Sequence, residues 1–455
     1  MKYRRYAEYK DSGVEWLGEV PAHWEDMQLK RELAFVTSGS RGWAENYADE
    51  GDIFLRIGNL TRDSVALDLS DIQYVNAPAG PEAERTRVQS GDLLVSITAD
   101  LGSVAVVPES FPTAYINQHI ALARPGNARA ISRWLAYQIL SIVGKTQLAL
   151  NAYGGTKIQL SLEDISTLRI LVPPLDEQRC IVAFLDRETA QIDALIAKQE
   201  RLIAVLQEKR QALISHAVTK GLNPDAPMKD SGVEWLGEVP AAWKVIKLGY
   251  CLHRIEAGWT PDSLQQLASD DEWAVVKVGC VRDGEFFPDE HKALAPGVPP
   301  APEIEIRAGD LIMSRANTTE LVGSIGLVRR TRPRLTLCDK TYRLVLREQL
   351  LTTYANYLLQ ARVARHQIEL AASGASPSMK NISQESIRAL LLPVPPVAEQ
   401  ERIVCQLDIA MDSHRKISEA VGQTIARLQE RRSALISAAV TGKIDVRTAG
   451  GRRSH

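Results

Sequence analysis

The chain has 455 residues, 45% of them hydrophobic, and a formal net charge of −2. That length and apolar share are enough for two to four domains with buried cores, while the near-neutral balance argues against a protein that coats nucleic acid by charge alone and leaves room for a local basic face. No run of about eighteen apolar residues predicts a transmembrane helix, and the start, MKYRRYAEYKDSG, does not read as a secretory signal. Five scattered cysteines without a C-x-x-C pair predict neither a disulfide framework nor a zinc site, so the expectation is a reduced, cytoplasmic protein.

In chain order, the first distinctive stretch is KDSGVEWLGEVPAHW, from Lys10 to Trp24. Asp11, Ser12 and Gly13 offer turn chemistry, Trp16, Leu17, Val20 and Trp24 offer buried anchors, and Pro21 breaks any helix. Short β-branched runs follow between turn residues: FLRIGNL (54–60), SGDLLVS (90–96) and GSVAVV (102–107). They predict strands. YINQHIAL predicts another, with His119 on it. ISRWLAYQILSIVGKTQLAL (131–150) predicts helix. VPP at 172–174 then ends a strand and admits a helix.

From there Ile181, Leu185, Glu188, Ile192, Leu195, Gln199, Leu202, Leu206, Lys209 and Leu213 alternate by four and three. That is heptad spacing, and no Pro or Gly interrupts it, so one helix of roughly 60 Å is predicted. A stripe on so long a helix outreaches a small globule, which predicts packing against a second such helix.

The second helix is present because the chain is a tandem duplication. KDSGVEWLGEVPAAW recurs at 229–243, with Ala242 in place of His23. VPPLDEQRCIVAFLD (172–186) is answered by VPPVAEQERIVCQLD (394–408), and LQEKRQALISHAVT (206–219) by LQERRSALISAAVT (428–441). Between these edges VVKVGCV, AGDLIMS, GSIGLV and TTYANYLLQARVARHQIELAA repeat the earlier strand and helix pattern with different residues. Gly422, Thr424 and His414 make the second stripe less regular. Because each helix leads into a copy of the opening phrase, and the second helix ends where only the N-terminal copy is left, the termini are expected to meet, with the halves related by a pseudo-twofold axis. The tail RTAGGRRSH is expected to be disordered.

The motifs of catalysis are missing. There is no G-x-G-x-x-G, Walker loop, H-E-x-x-H or G-x-S-x-G, and no Asn-Pro-Pro-aromatic stretch of the kind that holds a target base. PDEHK (288–292) resembles a compressed nuclease signature, but its adjacent acids could not converge on a metal from separate strands. Residues able to read base edges or hold phosphates cluster in loops instead. In the first half these are Arg56, Asn59, Thr61 and Arg62; Ser96, Thr98 and Asp100; Asn117, Gln118 and His119; and Tyr153, Thr156 and Lys157. In the second half they are Lys277 and Arg282; Arg315, Asn317, Thr318 and Thr319; Asp339, Lys340 and Tyr342; and Ser376, Ser378, Lys380 and Asn381. Any one of them alone is ordinarily a solvated loop residue. The basic run RRTRPRLTLCDK (329–340) either tracks phosphate or is a solvated hairpin tip.

The duplicated DSGVEWLGEVPAHW, the GDLL and NQH region, the VPPLDEQRCIVAFLD entry and LQEKRQALISHAVT together resemble the DNA-specificity subunits of type I restriction–modification systems, over about residues 10 to 445. The resemblance implies an α/β fold, with two pseudo-twofold-related mixed α/β target-recognition domains joined by two long antiparallel coiled-coil-like spacer helices. It implies a bipartite, asymmetric target on double-stranded DNA. It also implies docking of two methyltransferase subunits and of motor–nuclease subunits, and no membrane partner. Adenine methylation, translocation and cleavage would then belong to the partners, as would S-adenosylmethionine, ATP and magnesium. This chain would be non-catalytic and hold no cofactor.

The expected division is a joint at 1–24, recognition domains at 25–172 and 244–394, and spacer helices at 173–219 and 395–441. A linker with the second joint spans 220–243 and a tail 442–455. Three alternatives stay open: a DNA methyltransferase or nuclease acting alone, a specificity subunit working with another nuclease, and a protein-binding scaffold without DNA specificity.

Overall fold

The computed structural model describes residues 3–127, 129–153, 158–376 and 379–447. The chain forms two compact units, one of Met1–Gln199 with Gly422–His455 and the other of Glu200–Val421.

In the first unit an antiparallel sheet runs in the order Leu33–Ser38, Ile120–Pro125, Leu93–Ser96, Val104–Val106. Successive strand residues face opposite sides. Leu93 and Val95 therefore enter one core, with Trp134 and Leu135 of the helix Ser132–Leu140. Leu94 enters another, with Leu55, Ile116 and Leu122. Both faces are covered, which is why the run DLLV reads as continuously apolar. A second sheet holds Ala114–Ile116 parallel to Asp52–Leu55, followed by Gln73–Val75 and Tyr47–Ala48.

The second unit repeats this plan with other residues. Leu311 and Met313 enter the core with Tyr354 and Leu358, while Ile312 enters the core with Val275 and Leu335. Its main sheet has six strands, from Leu252–Ala257 at one edge to Val281–Arg282 at the other. The strand runs expected at 54–60 and 275–281 end early. Leu55 and Val276 close their strands, and 3₁₀ turns at Ile57–Asn59 and Val278–Cys280 follow.

The helical stretches after the sheets each break into two, Ser132–Leu140 with Ile142–Asn151 and Thr352–Gln360 with Arg362–Ala371. Ser141 and Ala361 stand at the breaks in extended conformation. The Ser141 hydroxyl accepts from the Gly144 amide at 3.1 Å and starts the second helix.

The long helices span Leu175–Lys220 and Val397–Val440, the latter passing through Gly422 without a break. In the first unit Ile181 and Leu185 share a core with Ile436, Ala439 and Val440, and further along Asp193 meets Arg432. In the second unit Ile214 and Val218 share a core with Ile403 and Leu407, and the Leu206 carbonyl meets His414 Nε2 at 2.7 Å. Each unit therefore holds an antiparallel pair of helix segments.

The heptad stripe is only partly the buried seam. Ile181, Leu185 and Ile192 are buried, but Leu195, Leu202 and Ile417 are exposed, and at the helix end Ile214 is 0% exposed where Leu213 is 40%. A straight helix of 3.6 residues per turn drifts from a strict heptad by about 20° per repeat, so the buried face moves on by one residue. The buried ends share the cores of the globules.

At the end of the second long helix Gly442, with φ +71°, lies against Pro21 and Trp24. Its carbonyl accepts from Tyr9 Oη at 2.8 Å, and the Asp445 amide donates to the Arg4 carbonyl at 2.8 Å. The two ends of the chain thus meet in the first unit. From residue 448 the tail lies outside the described residues.

Candidate nucleic-acid interface

Strand register decides which loops share an edge. Leu55 pairs in parallel with Ile116, so the chain leaves both strands on the same side of the sheet. Ile120 pairs with Ser96, which brings the loop after Ser96 beside the turn before Ile120. The candidate loops of the first half therefore converge. The Asn117 amide donates to the Leu55 carbonyl at 3.0 Å, and the Ile97 amide to the His119 carbonyl at 3.0 Å. Thr98 Oγ1 and His119 Nδ1 lie 2.9 Å apart, and Gln118 Nε2 lies 3.2 Å from His119 Nε2. Thr98 and Tyr153 both bridge to Gln159, and Arg62 pairs with Asp100. His119 sits in the turn between two strands, not on a strand as the sequence pattern predicts.

The same geometry separates enclosed candidates from exposed ones. Asn59 is 3% exposed; its amide donates to the Asp68 and Asp71 carbonyls, and its Oδ1 accepts from the Arg56 amide. That side chain holds the loop and leaves no group for a base edge. Ser96 and Asn117 are also buried, with Ser96 Oγ on the Thr98 carbonyl and Asn117 Oδ1 on the His119 amide. Thr61 is spent within its own turn, through Ser64. Arg62 and Tyr153 are exposed, and Arg56, Thr98 and Gln118 partly so. Arg56 also pairs with Asp71, and any phosphate there would compete with that carboxylate. Sequence reasoning missed Lys145, which donates to the Arg62 carbonyl at 2.9 Å and whose ammonium pKa is pushed down by burial. Its position inside a helical run gave no sign of this. Thr156 and Lys157 lie outside the described residues.

In the second half Arg315 is central. Its amide donates to the Lys340 carbonyl at 2.8 Å, its guanidinium to the Asp339 carbonyl at 3.3 Å, and its carbonyl accepts from the Ile382 amide. Ala316 and Asn317 pair with Asn381 and Lys380, and Lys380 donates to the Gly374 carbonyl. Thr318 and Thr319 follow on the exposed side, with the Thr318 amide on Asn317 Oδ1. Lys277, after its strand, corresponds to Arg56, since Val275 pairs in parallel with Thr336 as Phe54 does with Tyr115.

Two candidates fall outside this group. Tyr342 is 5% exposed and belongs to the core, with Arg315 above its ring. Arg282 aligns through Glu285 and Leu327 with Leu311, the first residue of a strand whose last is Ser314, so it stands at the opposite end from Arg315. It covers the Phe287 ring instead. The side chain of Ser376 and all of Ser378 lie outside the described residues.

Two arginines of the basic run are spent on their own chain. Arg332 donates to the Ala268, Ser269 and Glu272 carbonyls and Arg334 to the Asp271 carbonyl. In PDEHK, His291 is buried and bonded to the Pro288 carbonyl, and among the described residues no group of acids, His or Cys could hold a metal.

Each globular domain is fastened to a long helix at an equivalent place. In the first unit Arg432 is buried and pairs with Asp193 at 3.3 Å and Asp63 at 3.7 Å, beside a polar cavity of about 160 Å³ that Arg133, Tyr137 and Asp186 also line. In the second unit Arg210 donates to the Asp283 carbonyl at 2.6 Å and to Gln360 Oε1 at 2.7 Å. Tyr137 donates to Asp186 at 2.6 Å, as Tyr357 does to Asp408. Burial and the neighbouring carboxylate raise the pKa of both phenols, so each stays a donor.

Residues 21–204 match the family model of the type I restriction modification DNA specificity domain. The chain is 30% identical over 211 residues to the EcoEI specificity subunit of Escherichia coli, an alignment spanning 46% of the chain and about a third (35%) of that protein. It is 23% identical to the putative MjaX specificity subunit of Methanocaldococcus jannaschii, over 95% of the chain and 96% of that protein. Among solved structures, one concerning complex assembly and conformational transition of the type I R-M system matches with a TM-score of 0.65 at 18% identity, over 92% of this chain and 98% of that one, a likeness of fold. With that domain matched in the first half and its plan repeated in the second, the chain resembles the specificity subunits of type I restriction–modification systems.

Proposed function

We propose that this chain is the sequence-reading, non-catalytic subunit of a type I restriction–modification complex, working in the cytoplasm without a cofactor of its own. The observation that carries the reading is a loop set built twice on one frame from different residues. Arg56 answers to Lys277, and the Asn117–His119 turn to the turn at Asp339 and Lys340. A frame that repeats serves partners that repeat; loops that differ read different sequences. The recognition domains at 25–172 and 244–394 would each take half of a split, asymmetric site on double-stranded DNA. Arg62, Gln118 and Tyr153 would act in one, and Arg315, Asn317, Lys340 and Lys380 in the other.

The spacer helices at 173–219 and 395–441 would fix the gap, because bases face a docked domain only at certain helical phases. Two methyltransferase subunits and the motor–nuclease subunits would bind the frame and supply methylation, translocation and cleavage. Mapping modified adenines in the host genome tests this. One split, asymmetric motif that disappears when the gene is deleted is expected; a methylome unchanged by the deletion would contradict it.

A further inference from the structure

The fold explains part of the repeated phrase and leaves part of it over. In each unit the phrase is a short hairpin, Tyr9–Asp11 with Glu19–Pro21 and Met228–Asp230 with Glu238–Pro240, in the same register. Asp11 accepts from the Gly13 amide and Asp230 from the Gly232 amide, while Ser12 and Ser231 close the next turn on Val14 and Val233. Leu17, Val20 and Trp24, like Leu236, Val239 and Trp243, are buried. Trp24 and Trp243 donate to Glu177 and Glu399 at 3.1 and 3.0 Å. These residues repeat because the hairpin needs them.

Trp16 and Trp235 are different. Each is 37% exposed. Among the described residues neither indole has a hydrogen-bond or ring partner, and the adjacent carboxylates Glu15 and Glu234 have no ion pair. Glu15 and Trp16 are exposed in the first copy, and both recur at the same places in the second as Glu234 and Trp235. The start of the long helices shows the opposite behaviour. There the buried Ile181 and Leu185 recur as Ile403 and Leu407, but the exposed Asp176, Arg179, Cys180 and Ala183 become Ala398, Glu401, Arg402 and Cys405. Exposed positions drift in one chain's two copies unless something outside the fold holds them.

We infer that each hairpin is a docking site for one copy of the same partner protein, which receives Trp16 or Trp235 in an apolar pocket rimmed by basic side chains. Two copies of one partner account for two identical surfaces. The carboxylate beside each tryptophan, Glu15 or Glu234, has no ion pair among the described residues and calls for a positive rim. A tryptophan with a polar surround has the make-up of a binding anchor. The inference rests on the functional reading above, in which the repeating partner is the methyltransferase subunit.

The test is native mass spectrometry and titration of the full chain with that subunit. Wild type is expected to take two copies. Trp16→Ala and Trp235→Ala should each weaken one copy by about 30-fold or more, the double variant both, and Trp→Phe should restore most of the loss. Glu15→Lys with Glu234→Lys should weaken both copies without changing the melting temperature. Two copies bound at wild-type affinity by the double tryptophan variant would overturn the docking site alone. No copy bound by the wild-type chain would overturn the functional reading and the docking site with it.

Discussion

Arg432, on the second long helix, reaches Asp63 in the loop that carries Arg62. Arg210, at the equivalent position of the first, donates to the backbone of Asp283, next to Arg282. Each clasp ties a loop of a globular domain to a long helix. Arg432→Ala leaves Asp63 and Asp193 to water, since both are largely exposed. The stability loss is therefore expected to be small, about 1 kcal/mol. Binding to the half-site of the first domain should weaken more than that to the second, and Arg210→Ala should reverse the order. Equal loss at both half-sites, measured with duplexes altered in one half at a time, would contradict the clasp.

Gly442 and Gly221 hold the same left-handed conformation at the ends of the two long helices, but their surroundings differ. A Cβ at Gly442 would lie 2.3 Å from the Pro21 ring, which cannot swing aside, whereas at Gly221 it would lie 3.3 Å from the Glu399 carboxylate. Gly221→Ala should cost about 1 kcal/mol, from backbone conformation. Gly442→Ala should cost about 2–4 kcal/mol, because overpacking adds to it. Denaturant unfolding compares the two, and equal midpoints would contradict the close packing of the chain ends.

Asn59 and Arg62 stand three residues apart with opposite roles. Asn59→Ala removes three buried hydrogen bonds to backbone and should cost about 2–3 kcal/mol of stability. Arg62→Ala should leave the melting temperature unchanged while weakening DNA binding and lowering its salt dependence by about one ion. Arg62→Ala with unchanged DNA affinity would remove this residue from the interface.

Asp445 joins the chain ends, and hydrogen bonding to Arg447 holds its carboxyl below the usual value of 3.8. A depressed pKa contributes stability above the unfolded value and loses it as pH falls through the folded one. Loss of the Asp445 charge should therefore free Arg447 from its place over the Tyr6 ring, and so loosen the contact between the ends, only below about pH 4. Pepsin release of the C-terminal segment should differ between wild type and Asp445→Asn at pH 4.5, and the difference should shrink toward pH 2. A difference that stays constant over this range would assign the contact to something other than the Asp445 charge.

The duplication, the strand runs and both long helices were legible in the sequence because they rest on short-range periodicity and on repetition. The meeting of the termini was legible as well, from the order of repeats alone. The division of labour among the loop residues was not. Asn59 and Arg62 are both polar residues of one loop, and only the third dimension shows that Asn59 is enclosed while Arg62 faces outward. Tyr342 reads as a loop aromatic until its strand is seen to turn it into the core. The seam of the long helices was misplaced at Leu213 for a related reason. Heptad spacing assumes a supercoil, whereas these helix ends follow the globules they pack on.

In the proposed function the two long helices set the distance between two independently read half-sites. Inserting four residues, about one helical turn, at matching points of both helices and selecting bound sequences from a random duplex pool by the reconstituted complex tests it directly. Both half-sites are expected to be kept and the gap between them to change. Loss of either half-site, or an unchanged gap, would contradict it.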